Sequence, residues 1–237
     1  MGPEAVTRIN DLLDDVDEKM AALTDKINGI LDWVPWGLGW AVDQFMKLWD
    51  VAMEKVSDFW EMVTDFLGYI GQPWDLNAAA DDWAEVGGPV AERGVEASRS
   101  QSEVDTNWKG KAADRYSFAL ADQQKAITAV RDKLTSQIGP PLSDLATALY
   151  IFFGAVIGAV VILVATIVTA TGEAVSILGL PAVPPTVIAG FAAAIVAIGA
   201  AILNLRASAS SANTTFKNIQ EARSDFGAEN WPSAVIG

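Results

Sequence analysis

Twenty-eight consecutive residues between Asp144 and Glu173 carry no charge, and a second uncharged run, Ala174 to Leu205, follows at once. Each run is long enough to cross a bilayer as a helix, since roughly 20 apolar residues at ~1.5 Å rise match a hydrocarbon core of about 30 Å. Gly179-Leu180-Pro181-Ala182-Val183-Pro184-Pro185 interrupts the apolar stretch. The expected topology is therefore two spans over 141–206, joined by a short apolar loop near Glu173 to Pro185, with both ends on one side. Gly154 and Gly158 form a small-xxx-small pair in the first span, and Ala193 and Ala197, with Ala201 beyond, repeat the spacing in the second. Small residues at that interval let helix backbones approach closely in lipid, so these four positions are the candidate packing sites.

The rest of the chain is acidic. There are 30 Asp and Glu against 16 Lys and Arg, giving a net charge of −14, and the excess is concentrated before residue 77, where fifteen acids meet five basic residues. Nothing forms the basic surface that displaces counterions from phosphate, so nucleic acid is not an expected partner. The chain contains no Cys and no His. Disulfides, thiolate chemistry, the usual general base and the commonest metal ligand are all missing, and no catalytic residue, metal site or cofactor is expected. The first residues lack the basic start and apolar core of a secretory signal peptide, so export would need another route.

From Val6 the apolar residues step by three and four through Ile9, Leu13, Val16, Met20, Leu23, Ile27, Ile30 and Val34. Ideal helices turn every ~3.6 residues, so a strict seven-residue repeat favours supercoiling against another helix. Branched residues at Ile9, Val16 and Ile30 point to a trimer or larger assembly over 1–34. The same pattern also suits an amphipathic helix packed inside its own domain.

WVPWGLGW ends this helix at Pro35. A second, tryptophan-rich helix over 35–75 carries the seam Val42, Phe45, Trp49, Ala52, Val56, Phe59, Val63, Phe66 and Ile70. Its narrow polar stripe is mostly acidic: Asp43, Asp50, Glu54, Asp58, Glu61 and Asp65, with Lys47. Three placements compete for such a helix. It can lie in a membrane interface, although acids are the wrong partner for anionic lipid. It can pack in an ordinary bundle. It can also serve as a stave of an oligomeric barrel, with the acids facing a wet lumen that favours cations.

After the turn GQPWDLN, a helical hairpin is expected over 76–140. Gly87-Gly88-Pro89 should kink or break its first helix, and Gly139-Pro140-Pro141 should end its second. Between the two helices lies NWKGKAADRY, residues 107–116. Trp108-Lys109-Gly110 at this turn, followed by Ala112, Ala113 and Tyr116, resembles the Trp-x-Gly family of type VII (ESX) secretion substrates of actinobacteria. That resemblance implies export without a cleaved signal, pairing with a partner hairpin and contact with the secretion machinery. It also implies that Trp108 packs between the helices while Gly110 permits the tight turn. The family's export signal, an aromatic residue and an acid four apart, has its nearest counterpart in Phe118 and Asp122, inside the second helix.

The expected fold class is all-α: a helical-hairpin bundle with amphipathic or coiled-coil N-terminal helices, a two-helix transmembrane hairpin and a polar tail over 207–237. In that tail Phe216, Ile219, Ala222 and Phe226 suit a short amphipathic helix. The expected function is an oligomeric channel or tunnel in a bacterial envelope membrane, the outer one of a mycobacterium-like cell. The alternative is a type VII effector, kept soluble by a partner hairpin until it inserts into a target membrane.

Overall fold

The computed structural model describes residues 4–67 and 71–221, and among them every regular element is helical. Six α-helices follow in order: α1 Glu4–Leu31, α2 Gly39–Leu67, α3 Pro73–Asn107, α4 Lys111–Ala129, α5 Ser136–Glu173 and α6 Val183–Glu221. A π-turn, Val130–Thr135, joins α4 to α5, and a 3-10 turn, Leu180–Ala182, precedes α6. The chain divides into two compact units, one made of 1–71 and 149–205, the other of 72–148 and 206–237.

The first unit is built from α1, α2 and the apolar parts of α5 and α6. α1 buries Ala5, Ile9, Leu13, Val16, Met20, Leu23 and Ile27, and the three-four spacing is what puts them on one face. The heptad seam thus finds its cover inside a single copy of the chain. Its two ends differ from the sequence pattern, since Val6 and Val34 are exposed and Ala5 is buried in place of Val6. α2 contributes Ala41, Phe45, Ala52, Phe59 and Val63, all buried. The last step of its seam, Ile70, lies outside the described residues.

Three contacts fix which helices are neighbours. The Phe59 ring of α2 meets Phe191 of α6 edge-on, with centroids 5.5 Å apart. Lys26 of α1 donates from Nζ to the Thr171 carbonyl of α5 at 2.7 Å. α5 and α6 approach tightly at Gly190, where an added Cβ would lie 2.4 Å from Cγ2 of Thr166. The hairpin α1–α2 therefore lies along the hairpin α5–α6. Phe45, Phe59, Phe152, Phe153 and Phe191 are fully buried in this unit. Each such side chain is worth about 1.5–3 kcal/mol relative to exposure, which is the main force holding the unit together.

The second unit contains the hairpin α3–α4. Two expected breaks are absent. α3 runs unbroken through Gly87, Gly88 and Pro89, and Pro140 and Pro141 lie inside α5 instead of ending the preceding helix. A proline inside a helix strands the carbonyl four residues earlier. Here those carbonyls belong to Glu85, Ser136 and Gln137, all exposed positions where water can take over. Gly87 serves packing, with its added Cβ falling 3.4 Å from the Thr135 hydroxyl of the π-turn. α6 likewise continues through the expected start of the polar tail to Glu221, carrying Phe216 and Ile219 with it. Ala222 and Phe226 lie outside the described residues.

Candidate functional site

The first unit presents two chemically opposite sides. On α1 and α2 the charged outward positions are nearly all acids. Of the α2 stripe, Asp43, Asp50, Glu54, Glu61 and Asp65 are exposed, and Asp58 is partly so. Lys55 Nζ reaches Asp58 Oδ2 at 2.6 Å, one turn away on the same helix. The other five stripe acids form no ion pair among the described residues, although Glu54 lies close enough to Lys55 to favour its charged form. Successive spacings of three, four and seven keep all six on one side of α2, as the helical period requires.

On α5 and α6 the outward positions are apolar as well. Ile151, Val161, Ile162 and Val168 of α5 and Val196 and Leu203 of α6 are all exposed. Both helices are long and apolar enough to span a membrane, with 39% of each apolar window buried inside the chain. A core helix of a water-soluble fold is mostly buried. These two bury one face against α1 and α2 and leave the other uncovered.

The candidate packing sites fall on that uncovered side or at its margin. Ala193 and Ala197 are exposed, and an added Cβ on Gly154 or Gly158 meets nothing within 4 Å. Close contact between the spans is made at Gly190 with Thr166, and the buried positions of α6 include Phe191, Ala194, Ile198 and, from the small-residue repeat, Ala201. In an Ala-rich helix every face carries small residues at this interval, so the spacing alone does not select a face.

The turn between the spans is tight. Gly179 stands so close to the end of α5 that a Cβ would lie 2.2 Å from the Glu173 carbonyl oxygen, which restricts the position to glycine. The Glu173 carboxylate accepts a hydrogen bond from the Thr186 hydroxyl at 3.1 Å through Oε1, while Oε2 is enclosed with no partner. At the same end of the unit, the α1–α2 turn brings Trp33, Pro35 and Leu38 alongside Val175, Ile177 and Leu178 around a recess of about 470 Å³.

In the second unit Gly110 occupies the hairpin turn with φ of 109°, a backbone region that residues bearing a Cβ rarely adopt. The expectation for Trp108 needs correction. Its ring packs on Tyr116, centroids 5.9 Å apart, and 47% of the residue is exposed, so it caps the end of the hairpin from outside instead of filling the space between the helices. Phe118 is 71% exposed on the same hairpin and Asp122 is also exposed, both within α4. A second recess of about 670 Å³ lies between α3 and the π-turn, lined by Asp81, Arg131, Thr135 and Ser143 among others. Among the described residues no group of Asp and Glu is arranged to hold a metal ion.

No protein-family model matches the sequence, and neither a curated protein nor a solved structure matches it.

Proposed function

We propose that this chain inserts into a bacterial envelope membrane and assembles there as an oligomer around a water-filled, cation-favouring passage. The two-sidedness of the first unit carries the reading. A bilayer accepts the apolar outer face of α5 and α6, but it does not accept acids at the same depth unless they face water. Gathering several copies with α5 and α6 outward and α1 and α2 inward satisfies both sides at once. Asp43, Asp50, Glu54, Asp58, Glu61 and Asp65 then set the charge of the lumen. The α1 seam is occupied within each copy, so contacts between copies would use the flanks of the bundle.

Conductance in planar bilayers tests the proposal. The chain should give currents that prefer cations, and the combined change Asp50→Asn, Glu54→Gln, Asp58→Asn and Glu61→Gln should weaken that preference while assembly in detergent is kept. An unchanged preference removes the lumen assignment, and absence of current removes the passage.

A second reading has its own support. The single chain already shields one face of its apolar hairpin with α1 and α2, and the α3–α4 hairpin leaves Trp108 and Phe118 exposed. This is the arrangement suited to a type VII substrate that travels with a partner hairpin and inserts later. A partner chain co-purifying in a detergent-free complex, lost on Phe118→Asp, would favour it over the resident channel.

A further inference from the structure

We propose that the end of the first unit formed jointly by the α1–α2 turn and the α5–α6 turn is a docking tip for the surface of a zwitterionic bilayer. The inference rests on the reading that the chain inserts into membranes, and it does not need the passage.

Three tryptophans stand out from this end of the bundle. Trp36 is fully exposed, Trp33 is 77% exposed and Trp40 is 58% exposed. Val175 and Leu178 project from the neighbouring turn, and the recess between the two turns is walled by side chains of both. The patch is therefore one surface drawn from two distant stretches of sequence. Gly37, with φ of 94°, turns the backbone between Trp36 and Trp40. Tryptophan combines a broad apolar body with one N–H donor, which suits the headgroup layer better than either water or hydrocarbon.

Charge selects the kind of lipid. Residues 33–42 and 174–205 contain no Asp, Glu, Lys or Arg. The ionic groups that border the two turns in sequence are acids, Asp32, Asp43 and Glu173, and the basic Arg206 follows only at the far end of the second run. Lys26, the basic residue close to this end, is engaged with the Thr171 carbonyl. An apolar tip rimmed by acids, on a chain of net charge −14, is repelled by an anionic surface and tolerated by one without net charge. The projecting side chains Trp33, Trp36, Trp40, Val175 and Leu178 can enter such a layer without carrying an ion into it.

The test uses the full-length protein and two kinds of vesicle, pure phosphatidylcholine and phosphatidylcholine with phosphatidylglycerol. Flotation should bring the wild type up with the first, and less of it with the second at low salt. Brominated lipid should quench its tryptophan emission. Combined Trp33→Ser, Trp36→Ser and Trp40→Ser should lower the bound fraction at least tenfold, and Val175→Asp with Leu178→Asp, acting from the other turn, should do the same. Val86→Ser with Val95→Ser, exposed apolar residues in the second unit, should leave binding unchanged. Unaltered helicity by circular dichroism accompanies each comparison.

Wild-type binding by both tip variants overturns the proposal, as does binding that rises with phosphatidylglycerol. Loss of self-association in solution with vesicle binding unchanged also overturns it, by assigning the tip to a second copy of the chain. Vesicle binding without bilayer current leaves the tip and removes the passage. Current together with full binding by both tip variants leaves the passage and removes the tip.

Discussion

Lys26 of α1 donates its ammonium to the Thr171 carbonyl, 2.7 Å away, in the last turn of the apolar helix α5. The last carbonyls of a helix lack intrahelical partners and carry the negative end of its dipole. A cation supplied by another helix meets both needs. It also fixes the register of α1 against α5, because a shift of one turn moves the ammonium about 5.4 Å along the axis. Lys26→Met should keep the aliphatic stem and cost about 1 kcal/mol. Urea unfolding followed by tryptophan emission measures it. No loss of stability would mean that the carbonyl is served equally well by water.

Gly190 and Gly158 offer opposite tests of helix contact. A Cβ at Gly190 would sit 2.4 Å from Cγ2 of Thr166, whereas one at Gly158 meets nothing within 4 Å. Gly190→Ala should destabilise the first unit by about 1–3 kcal/mol through overpacking. Gly158→Ala should be neutral or stabilising by up to about 1 kcal/mol, since alanine is the better helix former. Thr166→Ala, which removes the nearest atom, should recover part of the Gly190→Ala loss. Equal effects at the two glycines, read by thermal melting, would put the α5–α6 contact on a different face.

Much of this architecture was legible because the polar and apolar periods agree. The strides through Ile9 to Ile27 and through Phe45 to Val63 became buried faces, and Pro35 with Gly37 and Gly39 separated α1 from α2 as expected. The turn after Glu173 was equally clear, since two apolar runs meeting at Gly179 to Pro185 leave few ways to fold. The prolines within helices were not legible. Whether Pro89, Pro140 or Pro141 ends a helix depends on the exposure of Glu85, Ser136 and Gln137, which only the folded chain decides. The face joining the spans was hidden for a related reason: Gly190 and Ala193 look alike in sequence until Thr166 is placed beside the glycine. The tip was hidden too, because Trp33 and Leu178 are brought together by folding alone.

The α3–α4 turn separates a backbone requirement from a side-chain contact. Gly110 holds φ of 109° and ψ of 174°, a region reached almost only by glycine, so Gly110→Ala should cost about 1–3 kcal/mol. Trp108 is 47% exposed and its ring contact is with Tyr116. Trp108→Ala should therefore cost only about 0.5–1.5 kcal/mol, the worth of one aromatic pair. Chemical denaturation of the full chain measures both. A larger loss at Trp108 than at Gly110 would mean that the tryptophan is buried by something beyond a single copy, as a partner hairpin would do.

Leu23 decides between the two uses of the heptad seam. It is fully buried in one copy of the chain, between Met20 and Ile27 on the same face. Truncation there should open a cavity, so Leu23→Ala should cost about 2–5 kcal/mol. If the seam closes within the chain, the wild-type melting temperature in detergent is independent of protein concentration and the Leu23→Ala loss is constant across it. A seam that closed between chains would behave differently, because dilution lowers the stability of any fold held together by association. A melting temperature rising with concentration in the wild type, and no longer rising in Leu23→Ala, would return the seam to an intermolecular coiled coil. It would also require α1 to leave the face of α5 that Lys26 now holds.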